Sequence, residues 1–396
     1  MANKIRLAIV VSHPIQYHSP WFAHLATIDA LELKVFYLWD FGVSGHTDRG
    51  FGVVVQWDIP LLEGYNHEFV PNVSRDPGTH HFLGLNNPVL VRELHAWTPD
   101  CILLFGFNYI SHQRVLWSRR LRNVPIILRG DSHNLGRSRN IKAKILKLLR
   151  CVIFSRCSAF LAVGKANVDY YRSHIGRPIF IAEHFVDNAR FRAGLRLDGA
   201  PSLLRQSLGI TPDVVIFGFV GKFEGRKAPM DIIFASNDFS RMRNDRAVAF
   251  VFVGSGELDA KLKEAAADRL NVDVFILPFQ NQSSMPAVYG MLDFLILPSA
   301  QPETWGLCVN EAMSCGVIPI VSDVVGCAPD LVSKGETGLV FKSGVVSSLR
   351  DAINWASMLE DAERLRLANA CKNRVEHYSV ENASMGLLRA VSSLIG

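Results

Sequence analysis

Two glutamates, Glu303 and Glu311, have the side-chain type and the spacing in this chain that best suit ligand chemistry. They are separated by seven residues. The run at 294–297 has the apolar pattern of a buried strand, prolines at 298 and 302 favour a turn, and a helix pattern begins near Gly306. One carboxylate is therefore expected in a strand-to-helix turn and the other on the helix. Both would lie at the carboxyl end of a strand, where open α/β sheets bind ligands.

The start of the same helix is a predicted anion site. The backbone amides from Thr304 to Leu307 would have no acceptor within the helix and would attract negative charge. Two carboxylates beside such a site would repel an anionic ligand unless they bind neutral hydroxyl groups. A nucleotide-diphosphate sugar offers both kinds of group, because its diphosphate suits the amides and its ribose and hexose diols suit the carboxylates. We therefore expect such a molecule as the ligand.

The segment 302–319 resembles a known family motif. The two glutamates, together with Ala312, Gly316 and Pro319, resemble the motif of retaining GT-B glycosyltransferases of family four, the glycosyl transferases group 1. The resemblance covers the C-terminal half of the chain and is weaker in the N-terminal half. It implies that Glu311 binds the ribose hydroxyls and that Glu303 touches the transferred sugar and stabilises positive charge on its ring. Purely structural roles are the alternative: Glu303 as a helix-dipole partner and Glu311 as a surface acid.

A basic turn follows the predicted strand 214–220. Gly221, Lys222 and Lys227 resemble the family's Gly-Arg-Leu, three residues, Lys-Gly turn, whose cations neutralise the donor diphosphate. Lys222 stands where the family has arginine, so a planar fork is replaced by a point charge. Lys227 matches directly. The alternative is a solvated turn rich in basic residues.

Two further positions complete the predicted donor site. Gly254 resembles the family's glycine turn near the nucleotide, although it also suits an ordinary left-handed turn. Phe279 occupies the position at which the family contacts the base of the nucleotide, and a role in the hydrophobic core suits it equally. The predicted donor-binding residues are Gly221, Lys222, Lys227, Gly254, Phe279, Glu303, Thr304, Trp305, Gly306, Leu307 and Glu311.

Polar residues also follow the predicted strand 126–128 in the first half of the chain. The family has a His or His-Asp near this point, and His133 is the first counterpart here, with Asp131 the second. A helix N-cap explains Asp131 almost as well. The predicted catalytic residues are Glu303, Lys227, Lys222, His133 and Asp131.

The loop 12–20 carries bulky polar side chains where most GT-B enzymes have a glycine-rich turn. Such side chains suit contacts with an acceptor sugar better than a close backbone approach to phosphate. A rigid loop held by its two prolines is the alternative. The long segment 51–88, which has few strand or helix signals, is a second acceptor-loop candidate. The predicted acceptor-binding residues are His13, Gln16, Tyr17, His18 and His81.

The length of 396 residues and the alternation of strand and helix patterns indicate two doubly wound α/β domains, the GT-B architecture. The predicted strands are 6–11, 33–38, 102–105, 126–128, 160–163, 214–220, 249–253, 274–277, 294–297 and 318–321. We expect an acceptor-binding domain at 1–185, a nucleotide-sugar-binding domain at 186–377, and a helix at 378–396 that packs back on the first domain. The junction lies in 181–191, where His184 and Phe185 replace the family's Asn-Gly.

Charge is unevenly distributed between the halves. Residues 1–185 hold 21 Lys and Arg against 13 Asp and Glu, a net of +8, while the chain as a whole carries +5. The segment 137–150 has the pattern of a basic amphipathic helix, which predicts peripheral contact with an anionic membrane and suits a lipid-linked acceptor. A solvated helix that packs its leucines on the sheet is the alternative. Nucleic acid is disfavoured because no aromatic-basic platform or reading-helix motif accompanies the charge.

The sequence also bears on where in the cell the protein is located and on whether it needs a cofactor. No signal peptide or spanning helix is predicted, which favours a cytoplasmic protein, peripheral on the inner face of the plasma membrane if the basic helix binds lipid. Seven cysteines without a Cys-x-x-Cys pair argue against a disulfide framework and a structural zinc. No Asp-x-Asp pair occurs, so we expect neither a metal nor another cofactor. Cationic side chains and a helix start would then stabilise the leaving group.

The resemblance implies transfer of a hexose-type sugar to a saccharide or lipid-linked saccharide, with retention of configuration, in bacterial surface polysaccharide or glycoconjugate assembly. Two alternatives stay open: a sugar-nucleotide epimerase of the same fold, and a non-catalytic nucleotide-sugar-binding protein. A dehydrogenase is the least favoured, since no Gly-x-Gly-x-x-Gly follows Val11 or Val220.

Overall fold

The structure, a computed structural model, describes residues 4–136, 141–196, 199–236, 247–267 and 272–396, and of residue 142 only the backbone. Two parallel sheets dominate the described residues. The first has seven strands and the second six. In both, the central strands are buried on both faces, because helices cover each side of the sheet.

The first sheet has the order β5-β2-β1-β6-β7-β8-β9. The strands of the N-terminal region are β1 Ile5–Val11, β2 Leu31–Tyr37, β3 His46–Asp48, β4 Val53–Val55, β5 His67–Phe69, β6 Cys101–Phe105, β7 Ile126–Gly130, β8 Ala159–Ala162 and β9 Ile179–Ile181. Its helices are α1 Ser19–Ala26, α2 Leu90–Trp97, α3 Ile110–Leu116, α4 Ile141–Phe154 and α5 Lys165–Arg172. Strands β3 and β4 form a separate antiparallel hairpin.

The second sheet has the order β12-β11-β10-β13-β14-β15. Its strands are β10 Val215–Val220, β11 Val248–Val253, β12 Asp273–Leu277, β13 Phe294–Leu297, β14 Ile318–Ser322 and β15 Leu339–Phe341. The accompanying helices are α6 Asn188–Gly194, α7 Ala200–Ser207, α8 Pro229–Ala235, α9 Asp259–Ala267, α10 Met285–Gly290, α11 Leu307–Ser314, α12 Ala328–Leu331, α13 Val346–Ser357, α14 Asp361–Glu376 and α15 Val380–Ile395, with a 3₁₀ turn at Gly225–Lys227.

All ten predicted strands are present, with ends that differ from the prediction by no more than two residues. The strands that the sequence did not predict are short. β5, β9 and β15 each have three residues and lie at sheet edges, and the hairpin strands β3 and β4 also have three. Such strands lack the long apolar run that marks a central strand, because one side of each is open or only partly buried.

The order of strands reverses between β1 and β6 in the first sheet and between β10 and β13 in the second. At such switch points the loops that leave the carboxyl ends of neighbouring strands diverge and open a crevice. The loops after β1, β10 and β13 are therefore placed to form a site, and residues from all three line one cavity.

For helix α4, the alternative prediction that its leucines pack on the sheet is wrong. Ile145 is 57 % exposed, Leu148 68 % and Leu149 55 %. Lys144 and Lys147 are exposed on the same helix. Residues 137–140 of the predicted basic segment lie outside the described residues. Within the described residues, no helix combines the length and hydrophobicity needed to cross a bilayer.

The last helix, α15, lies on the N-terminal sheet. Its residues Ala383, Leu387 and Val391 are buried in the core cluster that contains β1 and α1. Trp21 Nε1 donates a hydrogen bond to Ser384 Oγ at 3.0 Å. The helix comes closest to β9 at Gly386, where a Cβ atom would stand 1.9 Å from the carbonyl oxygen of Ile181.

The close contact at Gly386 predicts that replacing this glycine by alanine has the opposite of its usual effect on stability. A glycine replaced by alanine in a helix interior ordinarily stabilises the helix by about 1 kcal/mol. We expect Gly386→Ala instead to lower the free energy of unfolding, by about 1–3 kcal/mol, because the new methyl group overlaps backbone that cannot move independently. Urea denaturation measures the change. Gly176→Ala, where a Cβ meets nothing within 4 Å, is the control. Equal effects in the two variants would contradict the close approach of α15 to β9.

Candidate functional site

A cavity of about 470 Å³ lies between the two sheets and gathers most of the predicted site. Sixteen of the predicted residues line it: His13, Gln16, Tyr17, His18, Asp131, Gly221, Lys222, Lys227, Gly254, Phe279, Glu303, Thr304, Trp305, Gly306, Leu307 and Glu311. The two that do not are His133 and His81. Residues separated by almost three hundred positions in the sequence thus share one space.

Glu303 is positioned by its backbone. Its carbonyl oxygen accepts a hydrogen bond from His133 Nε2 at 2.7 Å and another from the amide of Gly326 at 2.9 Å. His133 is buried, and its Nδ1 accepts from the Leu135 amide. It is therefore a positioning residue that joins the first domain to the Glu303 turn, and not a group exposed to a ligand as its predicted catalytic role would require.

The side chain of Glu303 pairs with Lys227, with 3.1 Å between Oε2 and Nζ. Both side chains are mostly buried. Burial acts to lower the pKa of Lys227, but the negative charge of Glu303 and the hydrogen bond to it outweigh burial, so this pKa is raised. Lys227 is thus firmly charged, and Arg226 lies 3.7 Å from the same carboxylate oxygen.

Glu311 is buried, with 3 % of the residue exposed, and is not a surface acid. It accepts hydrogen bonds from Tyr289 at 2.6 Å and from Tyr17 at 3.0 Å. Burial raises the pKa of Glu311, and the two phenol hydrogen bonds counteract part of that rise. Tyr17 belongs to the loop after β1, so this acid is held from both sides of the cleft. Sequence reasoning had missed Tyr289.

The turn between Glu303 and Glu311 depends on Gly306, which precedes α11. Its φ is +93°, and a Cβ there would lie 2.9 Å from Leu297 Cδ2. A side chain is excluded by both the conformation and the space. The chain can therefore turn sharply from β13 into α11, and the leading N–H groups of α11 border the cavity without a helical acceptor.

Lys222 is held by an acid of the opposite domain. Its Nζ lies 2.8 Å from an oxygen of Asp48, in the β3–β4 hairpin. Partial burial acts to raise the pKa of Asp48, but hydrogen bonds from Lys222 and from the amides of Phe51 and Gly50 lower it. The carboxylate stays ionised.

The hairpin reaches further across the cleft. Ser255 Oγ donates to the Phe51 carbonyl at 2.7 Å, Asn281 Nδ2 donates to the Gln56 carbonyl at 2.7 Å, and the Phe51 and Phe279 ring centroids are 4.8 Å apart. Phe279 is thus a wall of the cleft and not a core residue. Gly254 φ is +148°, and a Cβ there would lie 2.0 Å from the Gly221 carbonyl oxygen, which explains the glycine.

Asp131 lines the first-domain side of the cavity and lies 4.0 Å from His184 Nε2. His184 is the residue that departs from the family pattern at the junction, and that departure was the signal that could have assigned it to the site. Burial lowers the pKa of His184 well below its ordinary value, and the nearby charge of Arg129 lowers it further. His184 is therefore neutral at physiological pH.

The histidines of the loop after β1 are also neutral. Burial lowers the pKa of His13 to about 4 and that of His18 well below its ordinary value. Neutral imidazoles donate and accept hydrogen bonds without adding charge, which suits contact with sugar hydroxyls. Trp305 lines the cavity while its Nε1 donates to Asn310 at 2.8 Å, so its ring is fixed.

His81 lies outside the cavity. Its Nε2 is 3.5 Å from Asp76, which also accepts from His80 at 3.0 Å. The ligand atoms of these three side chains lie within 4.8 Å of one another, close enough for a metal ion. Arg49 already pairs with Asp76 at 2.7 Å and places a competing cation there.

The charged groups of the cavity are paired internally across its walls: Lys222 with Asp48, Lys227 with Glu303, and Glu311 with two phenols. A ligand that binds these groups must exchange its own atoms for the present partners. The arrangement offers two cations for an anion and two carboxylates for hydroxyl groups.

Sequence comparison identifies a family profile and several relatives. The family profile described as Glycosyl transferases group 1 matches residues 202–374. The D-inositol 3-phosphate glycosyltransferase of Corynebacterium urealyticum is 26% identical over 338 residues, which cover 78% of each chain. That of Actinosynnema mirum is 32% identical over 213 residues, which cover 52% of this chain and 49% of the relative. The latter match therefore spans about half the relative's length.

Solved structures share the whole fold. Anabaena Alr3699/HepE, in complex with UDP and glucose, has a TM-score of 0.72 at 16% identity and covers 98% of this chain and 100% of its own. A glycosyltransferase from Rickettsia africae has a TM-score of 0.71 at 15% identity, with 99% of each chain covered. These neighbours have the GT-B fold, which confirms the predicted architecture.

The Asp48–Lys222 pair generates a test with inorganic pyrophosphate. We expect Asp48→Asn to bind pyrophosphate more tightly, by about two- to fivefold, because an anion no longer displaces a carboxylate from a partly exposed lysine. Isothermal titration calorimetry measures the affinity. Asp58→Asn changes a second hairpin acid, which accepts from the Ser283 amide at 3.1 Å and touches no lysine. The same gain in both variants would mean that loosening the hairpin, and not freeing Lys222, controls binding.

Proposed function

We propose that the protein is a glycosyltransferase that moves a hexose-type sugar from a nucleotide-diphosphate sugar to a hydroxyl of a saccharide or lipid-linked saccharide. The match of residues 202–374 to the glycosyl transferases group 1 and the GT-B fold support this proposal. The observation that carries the proposal is the convergence of Lys222, Lys227, Glu303 and Glu311 on one cavity between the two sheets. Family membership favours transfer over the epimerase and the non-catalytic binding protein.

The donor diphosphate occupies the cationic part of the cavity. Lys222 exchanges Asp48 for phosphate oxygens, and Lys227 lies close enough to Glu303 to contact both the diphosphate and that carboxylate. The leading N–H groups of α11 add fixed dipoles of the same sign. Together these groups stabilise the charge that develops on the leaving diphosphate in a desolvated site. No metal is required in this scheme, in keeping with the lack of an Asp-x-Asp pair in the sequence.

The two carboxylates act on the sugars of the donor. Glu311 binds the ribose hydroxyls, with Tyr17 displaced from it or shared with the ribose. Glu303, at the mouth of the turn before α11, touches the transferred sugar and stabilises its developing positive charge. The acceptor hydroxyl attacks from the face that the diphosphate leaves, and a diphosphate oxygen takes its proton, so the configuration is retained. Relatives named D-inositol 3-phosphate glycosyltransferases support the reaction class.

The acceptor binds on the first-domain side, beside His13, His18, Asp131 and His184. These groups offer neutral imidazoles and one carboxylate, which match the hydroxyl groups of a saccharide. Among the described residues of this wall there is no lysine or arginine that lines the cavity. An acceptor of this kind is consistent with assembly of a surface polysaccharide or glycoconjugate.

Removing either member of the Lys227–Glu303 pair tests the proposal. Thermal-shift measurements against nucleoside diphosphates and their sugars first identify the donor. With that donor, we expect Glu303→Gln and Lys227→Met to release nucleoside diphosphate about 10²-fold more slowly, because each removes charge that acts in the transition state. Glu336→Gln, at an exposed acid remote from the cavity, should match the wild type. Wild-type turnover in both cavity variants, with the fold intact, would refute the proposed roles.

We infer further that α4 places the enzyme at the inner, anionic face of the plasma membrane. Its exposed aliphatic residues are Ile141, Ile145, Leu146, Leu148, Leu149 and Val152. Lys144 and Lys147 lie on the same helix, so apolar burial and attraction to anionic lipid act together. A lipid-linked acceptor would be presented at that surface.

Vesicle cosedimentation tests this inference. We expect the wild type to bind vesicles of phosphatidylglycerol and phosphatidylcholine, and the double variant Leu148→Ser, Leu149→Ser to lose most of that binding, since about 2–3 kcal/mol of transfer free energy is removed. Added salt should weaken wild-type binding. The control is Leu203→Ser, Leu365→Ser, which changes two leucines of similar exposure elsewhere. Equal losses in both double variants, or none, would exclude α4 as the membrane contact.

A further inference from the structure

A second cavity, of about 500 Å³, opens at the carboxyl ends of β2 and β5. It lies on the same sheet edge as the main cavity, because β2 is the neighbour of β1. The residues that define its chemistry are Trp39, Asp40, Ser44, His46, Phe69 and Asn72. Nothing in the donor-binding scheme uses them.

The second cavity shares a wall with the first. His13 and Phe41 line the main cavity, and the His13 ring centroid lies 5.3 Å from that of Phe41 and 5.9 Å from that of Trp39. Trp39 lines the second cavity. One histidine ring and two aromatic rings therefore separate the two spaces. A ligand longer than one sugar unit could pass from one to the other along this wall.

Aromatic surface is the first element of the second cavity. Trp39 is half-buried, and its ring centroid lies 4.9 Å from Phe41 and 5.4 Å from His46. Phe69 forms part of the opposite lining. These rings hold Trp39 in place, so it offers a fixed flat surface to the cavity. Such a surface suits the C–H face of a sugar ring, which is apolar.

Hydrogen-bonding groups are the second element. Asp40 accepts from Ser44 Oγ and from His46 Nε2, the latter at 3.0 Å, and 45 % of its side chain is exposed. Partial burial acts to raise the pKa of Asp40, but these hydrogen bonds outweigh it and lower the pKa. An ionised carboxylate has about four acceptor positions, so capacity remains for ligand hydroxyls. Asn72 also lines the cavity and is held in place, since its Nδ2 donates to the Gly84 carbonyl at 2.9 Å and its Oδ1 accepts from the amides of Ser74 and Asn86.

The charge of the second cavity selects against anions. Among the described residues that line it there is no lysine or arginine, and Asp40 contributes a negative charge. A phosphate or carboxylate group would meet that charge without a cation to balance it. A neutral polyhydroxyl ring would meet an aromatic face and oriented hydrogen-bonding groups.

We propose that this second cavity is a subsite for a neutral sugar unit of the acceptor, the unit next to the one that receives the transferred sugar. The acceptor is then a saccharide of at least two units whose second unit carries no phosphate. This inference rests on the proposed function, since it assumes that a saccharide acceptor occupies the first-domain wall of the main cavity.

A saccharide microarray tests the subsite. Labelled full-length protein is applied to neutral and phosphorylated mono- and oligosaccharides, and saturation-transfer NMR gives the Kd of the best neutral oligosaccharide. We expect oligosaccharides whose second unit is neutral to be preferred. Trp39→Ala should weaken the binding by about tenfold, which corresponds to loss of one stacked aromatic ring. His46→Ala, which removes one hydrogen-bonding group of the cavity, should weaken it by about threefold.

Trp117→Ala is the matched control, since Trp117 is 49 % exposed and lies outside both cavities. Its affinity should equal that of the wild type. Binding of no neutral saccharide, preference for phosphorylated ones, or the same affinity in the Trp39 and Trp117 variants would each overturn the subsite. Binding of nucleoside diphosphates separates the two proposals. If the protein binds them and Trp39→Ala leaves saccharide binding unchanged, only the subsite fails. If the protein binds none of them, the proposed function fails.

Discussion

The arrangement of the cleft depends on one constraint: charged side chains that are removed from water must be paired. Two parallel sheets direct the carboxyl ends of their strands toward one space, and the side chains that line that space include Lys222, Lys227 and the carboxylates of Asp48, Glu303 and Glu311. A buried charge without a partner is costly, so each is held by another group of the cleft. Glu303 is held by Lys227, Lys222 by Asp48, and Glu311 by Tyr17 and Tyr289. These charged groups are thus satisfied by partners within the protein.

This constraint connects the domains to the chemistry. Tyr17 and Asp48 belong to the first domain, whereas their partners belong to the second. His133 likewise reaches from the first domain to the backbone of Glu303. The relative position of the domains and the pairing of the charged groups in the cavity are therefore coupled. A ligand that replaced Asp48 or Tyr17 would also remove contacts between the domains, and its binding energy would have to offset those contacts.

The first domain carries the features that distinguish this chain. Its loop after β1 is bulky and polar, its junction has His184 and Phe185 in place of the family's Asn-Gly, and its β3–β4 hairpin reaches the second domain. Helix α4 exposes aliphatic side chains that a sheet-packed helix would bury. The second domain, in contrast, contains the segment that matches the family profile, residues 202–374. The features particular to this chain are thus concentrated in the first domain.

The sequence by itself determined the fold class and the candidate donor-binding residues. Central strands such as β10 and β13 are continuous apolar runs, and Glu303, Gly306 and Glu311 lie in one short segment whose geometry depends on nearby residues alone. Only the tertiary structure decided which side chains pair with one another. Tyr17 and Glu311 are 294 positions apart, and Asp48 and Lys222 are 174 apart. A lysine or phenol can pair with many acids, and packing selects one of them. The edge strands, the aromatic wall beside Trp39 and the exposed face of α4 were likewise fixed by packing, because a short or solvent-facing segment has no local pattern that specifies its neighbours.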